Sequence, residues 1–188
     1  MPLDRQTPRQ TLIEMLNVYK ARYLAEAAVA ERFIDFVGAY PRCFERDSWA
    51  GHVTGSAWLV NAPGDAVLLT HHKKLDRWLQ LGGHSDGIGD TLQVAIREAE
   101  EESGLGVTPL SATIFDIDVH EIPARAEDPA HLHYDVRFAL SVAGSHEFQV
   151  SAESHALAWV PIADMTTYTQ EESVLRMARK WLSGAGSS

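Results

Sequence analysis

Apolar positions recur at two periods along the chain, and the periods divide it into elements. Leu12, Met15, Leu16 and Tyr19 fall at helical spacing, and Ala25, Ala28, Phe33, Phe36 and Val37 form a second set. Thr7-Pro8 supplies a helix start and Gly38 with Pro41 a stop. Residues 8–38 are therefore read as two helices in a hairpin. Residues 52–61 read as a strand, 61–65 as a turn and 66–71 as the returning strand. Trp78-Leu79-Gln80-Leu81 then leads into Gly82-Gly83. Two further strands are predicted at 112–121 and 131–142, joined by the polar loop 123–129, and a short last strand at 157–160. Residues 170–182 form an amphipathic helix through Val174, Leu175, Ala178, Trp181 and Leu182. The Gly/Ser-rich stretch at the end reads as a flexible tail, 184–188. Strands around a central helix, with another helix after them, predict a mixed α/β layered domain.

The central helix carries the chemistry. Arg97-Glu98-Ala99-Glu100-Glu101-Glu102-Ser103-Gly104-Leu105 follows an amphipathic run capped by Asp90, with Gln93 as capping partner and Gly104 as the stop. Glu98, Glu101 and Glu102 stand in i, i+3 and i+4 relation and share a face. Like charges so placed repel unless a cation neutralises them. Hard oxygen ligands at this density favour Mg²⁺ or Mn²⁺. The ordinary alternative is a solvated helix face. The phase of these residues with Gly82-Gly83, Arg97 and Gly104 favours the metal reading.

The segment 83–105 resembles the signature of the Nudix hydrolases, G-x5-E-x7-R-E-U-x-E-E-x-G-U with U aliphatic. Gly83, Arg97, Glu98, Ala99, Glu101, Glu102, Gly104 and Leu105 all match in register. One position departs: the first Glu of the signature falls on Gly89. Asp86 and Asp90 lie nearby to take over part of its role, and Gly89→Glu is expected to be tolerated. The resemblance implies an α/β/α sandwich with a mixed sheet over residues 49–183, preceded by an N-terminal helical extension, 1–48. It implies Glu98, Glu101 and Glu102 as metal ligands together with the carbonyl of Gly82. Glu98 is also a candidate base, and Arg97 orients the carboxylates, pairing with Glu101. A further carboxylate often comes from a loop before the last strand, and Glu153 occupies that place. The implied reaction is attack of water on a diphosphate bridge, with the metal polarising the phosphoryl oxygens. Candidate substrates are ADP-ribose, nucleotide sugars, dinucleoside polyphosphates and nucleoside triphosphates.

A second polar surface follows from alternation in the two later strands. Phe115, Ile117 and Val119 share one side, with Asp116, Asp118 and His120 on the other. Leu132, Tyr134, Val136 and Phe138 oppose His131, His133, Asp135 and Arg137. If these polar faces line a cleft with His84, then His120, His133, Asp135 and Arg137 contact the leaving part of the substrate, Arg137 through a phosphate. His120, His131, His133 and Asp135 are also a candidate second metal site. The bland alternative is the solvent face of an antiparallel sheet. Trp58, Trp78 and Tyr134 offer stacking surfaces for a base, although core packing suits them better.

Charge and cysteine content narrow the class. A net charge of −10 disfavours binding to a nucleic-acid polymer but admits a phosphorylated small molecule bridged by metal. The single cysteine, Cys43, excludes an internal disulfide framework and fits a cytoplasmic protein. No apolar run is long enough for a membrane span, and a homodimer fits the family. Two rival readings remain. One is a Nudix-fold ligand-sensing or interaction domain impaired in catalysis, suggested by Gly89. The other is an isomerase on the same fold, which would need an active-site cysteine that Cys43 is badly placed to supply.

Overall fold

A computed structural model describes residues 6–73, 75–125, 128–144, 146–150 and 154–184. The first helix, α1 (Pro8–Arg22), opens with a capping box. Thr7 Oγ1 accepts the Gln10 N–H, and Gln10 Oε1 accepts the Thr7 N–H. A short 3₁₀ turn, Leu24–Glu26, leads into α2 (Ala27–Ala39). Arg9 donates to the carbonyls of Val37 and Gly38 at 2.8 and 2.6 Å, so the start of α1 satisfies the end of α2.

Seven strands among the described residues form one mixed sheet. They are β1 (His52–Val60), β2 (Ala66–His72), β3 (Arg77–His84), β4 (Val107–Pro109), β5 (Asp116–Ile122), β6 (His131–Val142) and β7 (Ser154–Pro161). The order is β4-β6-β1-β3-β2-β7, with β5 also on β6. β1 and β6 run parallel from His52 opposite His133 to Val60 opposite Ser141, and the other pairs are antiparallel. β3 divides its partners: residues 77–80 pair with β2 and 81–84 with β1. The predicted strand over 112–121 begins only at Asp116.

Alternation along β1 sorts the two faces. Val53, Ala57 and Leu59 turn toward α1, α2 and α3 (Thr91–Ser103) in one core cluster. Trp58 and Val60 turn the other way, into a second cluster with Val174, Met177 and Ala178 of α4 (Glu172–Leu182). Gly55 lets α3 lie close on β1, since a Cβ there would sit 2.8 Å from Val94 Cγ1 and 2.9 Å from the Thr91 carbonyl oxygen.

The N-terminal helices belong to the first core rather than hanging from it. Leu12, Leu16 and Phe33 are fully buried against the sheet. Tyr134 stacks on Phe36 at 3.8 Å and meets Phe33 edge-on at 5.2 Å. Each large apolar side chain so buried contributes roughly 1.5–3 kcal/mol. Tyr134 and Trp58 are thus core residues, while Trp78 is half-buried and stacks on His71. No helix among the described residues is long and apolar enough to cross a membrane.

Candidate functional site

The glutamate helix begins and ends as its sequence dictates. Asp90 Oδ1 accepts the Gln93 N–H at 3.1 Å, and Gly104 closes α3 at φ 69°. The buried side of α3 is Val94, Ala95 and Ala99, which turns Glu98 and Glu102 toward the end of β3. Glu102 Oε1 accepts the backbone N–H of Gly82 at 2.9 Å. The Glu98 carboxylate lies over Gly83, where a Cβ would come within 2.4 Å of Oε2. Any other residue at 83 would displace that carboxylate, so the glycine makes room for it. Arg97 donates to Glu98 Oε1 at 2.5 Å and to the His84 carbonyl at 2.7 Å. Its side-chain partner is therefore Glu98 rather than the expected Glu101, which is exposed and acts on Arg97 through charge alone. Two carboxylates against a glycine edge, with a third one helical step away, form an oxygen-rich cradle suited to a hard divalent cation.

The loop between β3 and α3 explains the missing signature glutamate. Asp86 and Gly87 take left-handed dihedrals, φ 49° and 84°, and turn the chain toward α3. The segment before β1 braces this turn. Gly87 N–H donates to the Phe44 carbonyl at 2.9 Å, and Arg46 bonds Asp86 and His84 Nδ1 at 2.8 and 2.9 Å. Gly89 lies beneath α1: a Cβ there would sit 2.3 Å from Pro8 Cβ. The expectation that Gly89→Glu is tolerated is corrected by this contact. That variant is expected to lose roughly 1–3 kcal/mol, as overpacked sites do, and to free the first turn of α1. Denaturant midpoints and limited proteolysis of the N-terminal helix measure both effects; unchanged values would mean the Pro8 contact yields without cost. Asp86 pairs with Arg46 and Asp90 caps α3, so both nearby aspartates are otherwise occupied.

The polar faces of β5 and β6 are covered around Asp116, Asp135 and Arg137, while His120 stays partly exposed. Asp135 accepts hydrogen bonds from Thr54 and Ser56 at 2.8 and 2.7 Å, from Arg137 Nε at 2.7 Å and from Gln80 at 3.3 Å. Arg137, 1 % exposed, also meets Asp116 at 3.1 Å and Asp118 at 3.4 Å. The α4 residues Arg176 and Lys180 reach the same Asp116, and Lys180 continues to Tyr19 and Glu26. Burial alone would raise the Asp118 carboxyl, but the His120 hydrogen bond and the Arg137 and Arg176 charges hold it down at about 2. Arg137 and Asp135 are therefore internal ties of the sheet, and the expectation that they contact substrate is corrected: their hydrogen-bonding groups are already engaged and lie out of a ligand's reach. α4 is the cover that strand alternation could not reveal.

Histidines fill the neighbouring stretch of the same face. His133 meets His52, His84, His131 and His120 at ring-centroid distances of 4.7, 5.1, 5.3 and 5.5 Å. His52 was not singled out from the sequence. Its place became visible only through the parallel register that sets β1 His52 beside β6 His133. Burial, then the charges of its neighbours, lowers His133 to about 2 and His52 to about 4, so both rings are neutral near pH 7. Glu153 lies outside the described residues.

Cys43 is fully buried in the first core, and burial pushes its thiol up to about 11. A thiol reagent is expected to leave the native protein unlabelled and to modify it only after denaturation. Rapid labelling of folded protein would contradict this burial. The same burial removes the cysteine that the isomerase reading required.

A NUDIX domain profile matches residues 51–182. Among solved structures, the chain is similar to a NUDIX-family hydrolase from Clostridium perfringens, at 26% identity and TM-score 0.55 over 69% of this chain and 95% of that one. It also resembles the E. coli dihydroneopterin triphosphate pyrophosphohydrolase, at 15% identity and TM-score 0.54 over 70% and 95% of the two chains. The MutT protein of Methanosarcina mazei Go1 gives 14% identity and TM-score 0.55 over 73% and 97%. At these last two identities the likeness is one of fold alone. No curated protein sequence matches the chain.

Proposed function

From the premise that the chain belongs to the Nudix family and is a hydrolase of phosphoanhydride bonds, we propose that it cleaves a diphosphate linkage in a nucleoside diphosphate joined to another moiety. Nudix enzymes use divalent cations, and here the ion is Mg²⁺ or Mn²⁺, held by Glu98, Glu101, Glu102 and the Gly82 carbonyl. The observation that carries this reading is the convergence of Glu98 and Glu102 on the Gly82-Gly83 edge. When bound, such an ion polarises phosphoryl oxygens and lowers the pKa of coordinated water.

The protein's own groups then have distinct tasks. Arg97, anchored on the His84 carbonyl, fixes the Glu98 side chain from one side. Gly82 N–H fixes Glu102 from the other. Glu101, exposed at the rim, would add the third negative charge to the residues that hold the cation. Glu98 accepts the proton of the attacking water. Of the histidines expected to touch substrate, His120 keeps 41% of its side chain exposed. Pro8 leaves no room for the signature Glu at Gly89, so in this reading Glu98, Glu101 and Glu102 carry the cation without it.

The test is a panel of ADP-ribose, nucleotide sugars, dinucleoside polyphosphates and nucleoside triphosphates, each with Mg²⁺ and with Mn²⁺. Phosphate released after phosphatase coupling is the readout. Cation-dependent turnover of a compound with a diphosphate bridge is the expected result. Cleavage of no member, with metal shown to bind, would overturn the substrate class.

A further inference from the structure

We propose that His52, His131 and His133 form a second metal site, for a borderline-soft transition ion of the Zn²⁺ type, separate from the glutamate cradle. One ring nitrogen from each of the three lies within 4.8 Å of those of the other two. Nitrogens bound tetrahedrally to Zn²⁺ at 2.0–2.1 Å stand about 3.3 Å apart. The set stands up to about 1.5 Å wider than a closed site, a gap that side-chain rotation would have to take up.

His52 carries a second, independent indication. It is 1% exposed, and neither of its ring nitrogens makes a hydrogen bond. The Ser48 backbone lies near the ring but outside hydrogen-bonding geometry. His133 Nε2 is likewise buried without a partner. Each such group is costly if left unmatched. Clustering them in one place is hard to reconcile with core packing alone, where an apolar residue would serve better.

The surroundings suit ligation. His131 Nδ1 donates to the Pro129 carbonyl at 2.8 Å, which fixes its tautomer and leaves Nε2 as the donor to a metal. His120 is oriented in the same manner by Asp118, at 3.1 Å, with its ring centroid 5.5 Å from that of His133. It can complete the coordination from the solvent side. An all-nitrogen set favours Zn²⁺ over Mg²⁺, the reverse of the glutamate cradle. The alternation of β1 and β6 places these histidines on the α4 face of the sheet, whereas Glu98 projects from the α3 side. An ion held there would pin the start of β1 to the start of β6, directly beside the His84 end of β3.

The experiment uses the full chain freed of metal by chelator and titrated with Co²⁺ alone, then with Zn²⁺ alone in competition. One equivalent of Co²⁺ is expected, with the intense visible bands of a tetrahedral nitrogen site, displaced by Zn²⁺. Glu101→Gln is expected to keep those bands, which separates this site from the one in the proposed hydrolysis. His133→Ala and His131→Gln are expected to weaken binding by more than roughly 100-fold, beyond what loss of an orienting partner costs. If His133→Ala fails to fold, as judged by circular dichroism, the volume-conserving His131→Gln decides. Absence of a stoichiometric Co²⁺ spectrum in the native protein would overturn the proposal. So would a spectrum that survives in His131→Gln.

Discussion

Glu101→Gln is expected to lower hydrolytic turnover by roughly 10²–10⁴-fold, the scale on which a positioned charged group acts on such a reaction. The fold should be untouched. Glu101 is exposed on α3, and substitutions at such positions change stability by about 0.5 kcal/mol or less. The variant thus separates chemistry from folding more cleanly than Glu98→Gln or Glu102→Gln would, because those carboxylates also hold Arg97 and the Gly82 amide. Turnover should be measured across a Mg²⁺ titration. Partial recovery at high Mg²⁺ would locate the loss in cation binding. Near-normal turnover at ordinary Mg²⁺ would remove Glu101 from the site.

Arg137→Met is expected to destabilise the protein by about 3–5 kcal/mol, the cost of leaving a buried charge without its partner. Asp135 bears most of this, because among the described residues Arg137 Nε is its cationic donor, the others being Thr54, Ser56 and Gln80. Asp116 keeps Arg176 and Lys180. Urea unfolding measures the loss. Turnover per folded molecule should stay close to that of the native protein, because the guanidinium is enclosed by carboxylates. A phosphate-binding arginine would give the opposite pattern, with stability retained and KM raised. That result would return Arg137 to the substrate site.

The contrast between these two residues shows what the sequence made legible. The glutamate helix is a local object: its cap, its stop, its buried stripe and its acidic face all lie within one short segment, so helical periodicity reads them together. Arg137 and His133 were rightly assigned to the polar face of their strand, but alternation says nothing of what covers that face. Over Asp116 and Arg137 the cover is α4, whose Arg176 and Lys180 pair with Asp116, while Leu182, counted in the apolar stripe, is exposed. Gly89 looked like a lost catalytic residue because its reason, Pro8, lies on another helix far away in sequence. β4 escaped notice because three residues carry no period. The glycine pair hid the end of β3, since glycine has little strand preference.

The divided pairing of β3 has one more consequence. Because residues 81–84 leave β2 and pair only with β1, the Gly82 amide stays available to hold Glu102. A free glutamate side chain gives up about 1.5–2 kcal/mol of rotational entropy when it is fixed. Here that loss is incurred as the chain folds, before any ion arrives. Ligand capture then has one fewer rotor to freeze, and a change that shifted this amide would appear as weaker affinity for the ion sooner than as a slower chemical step.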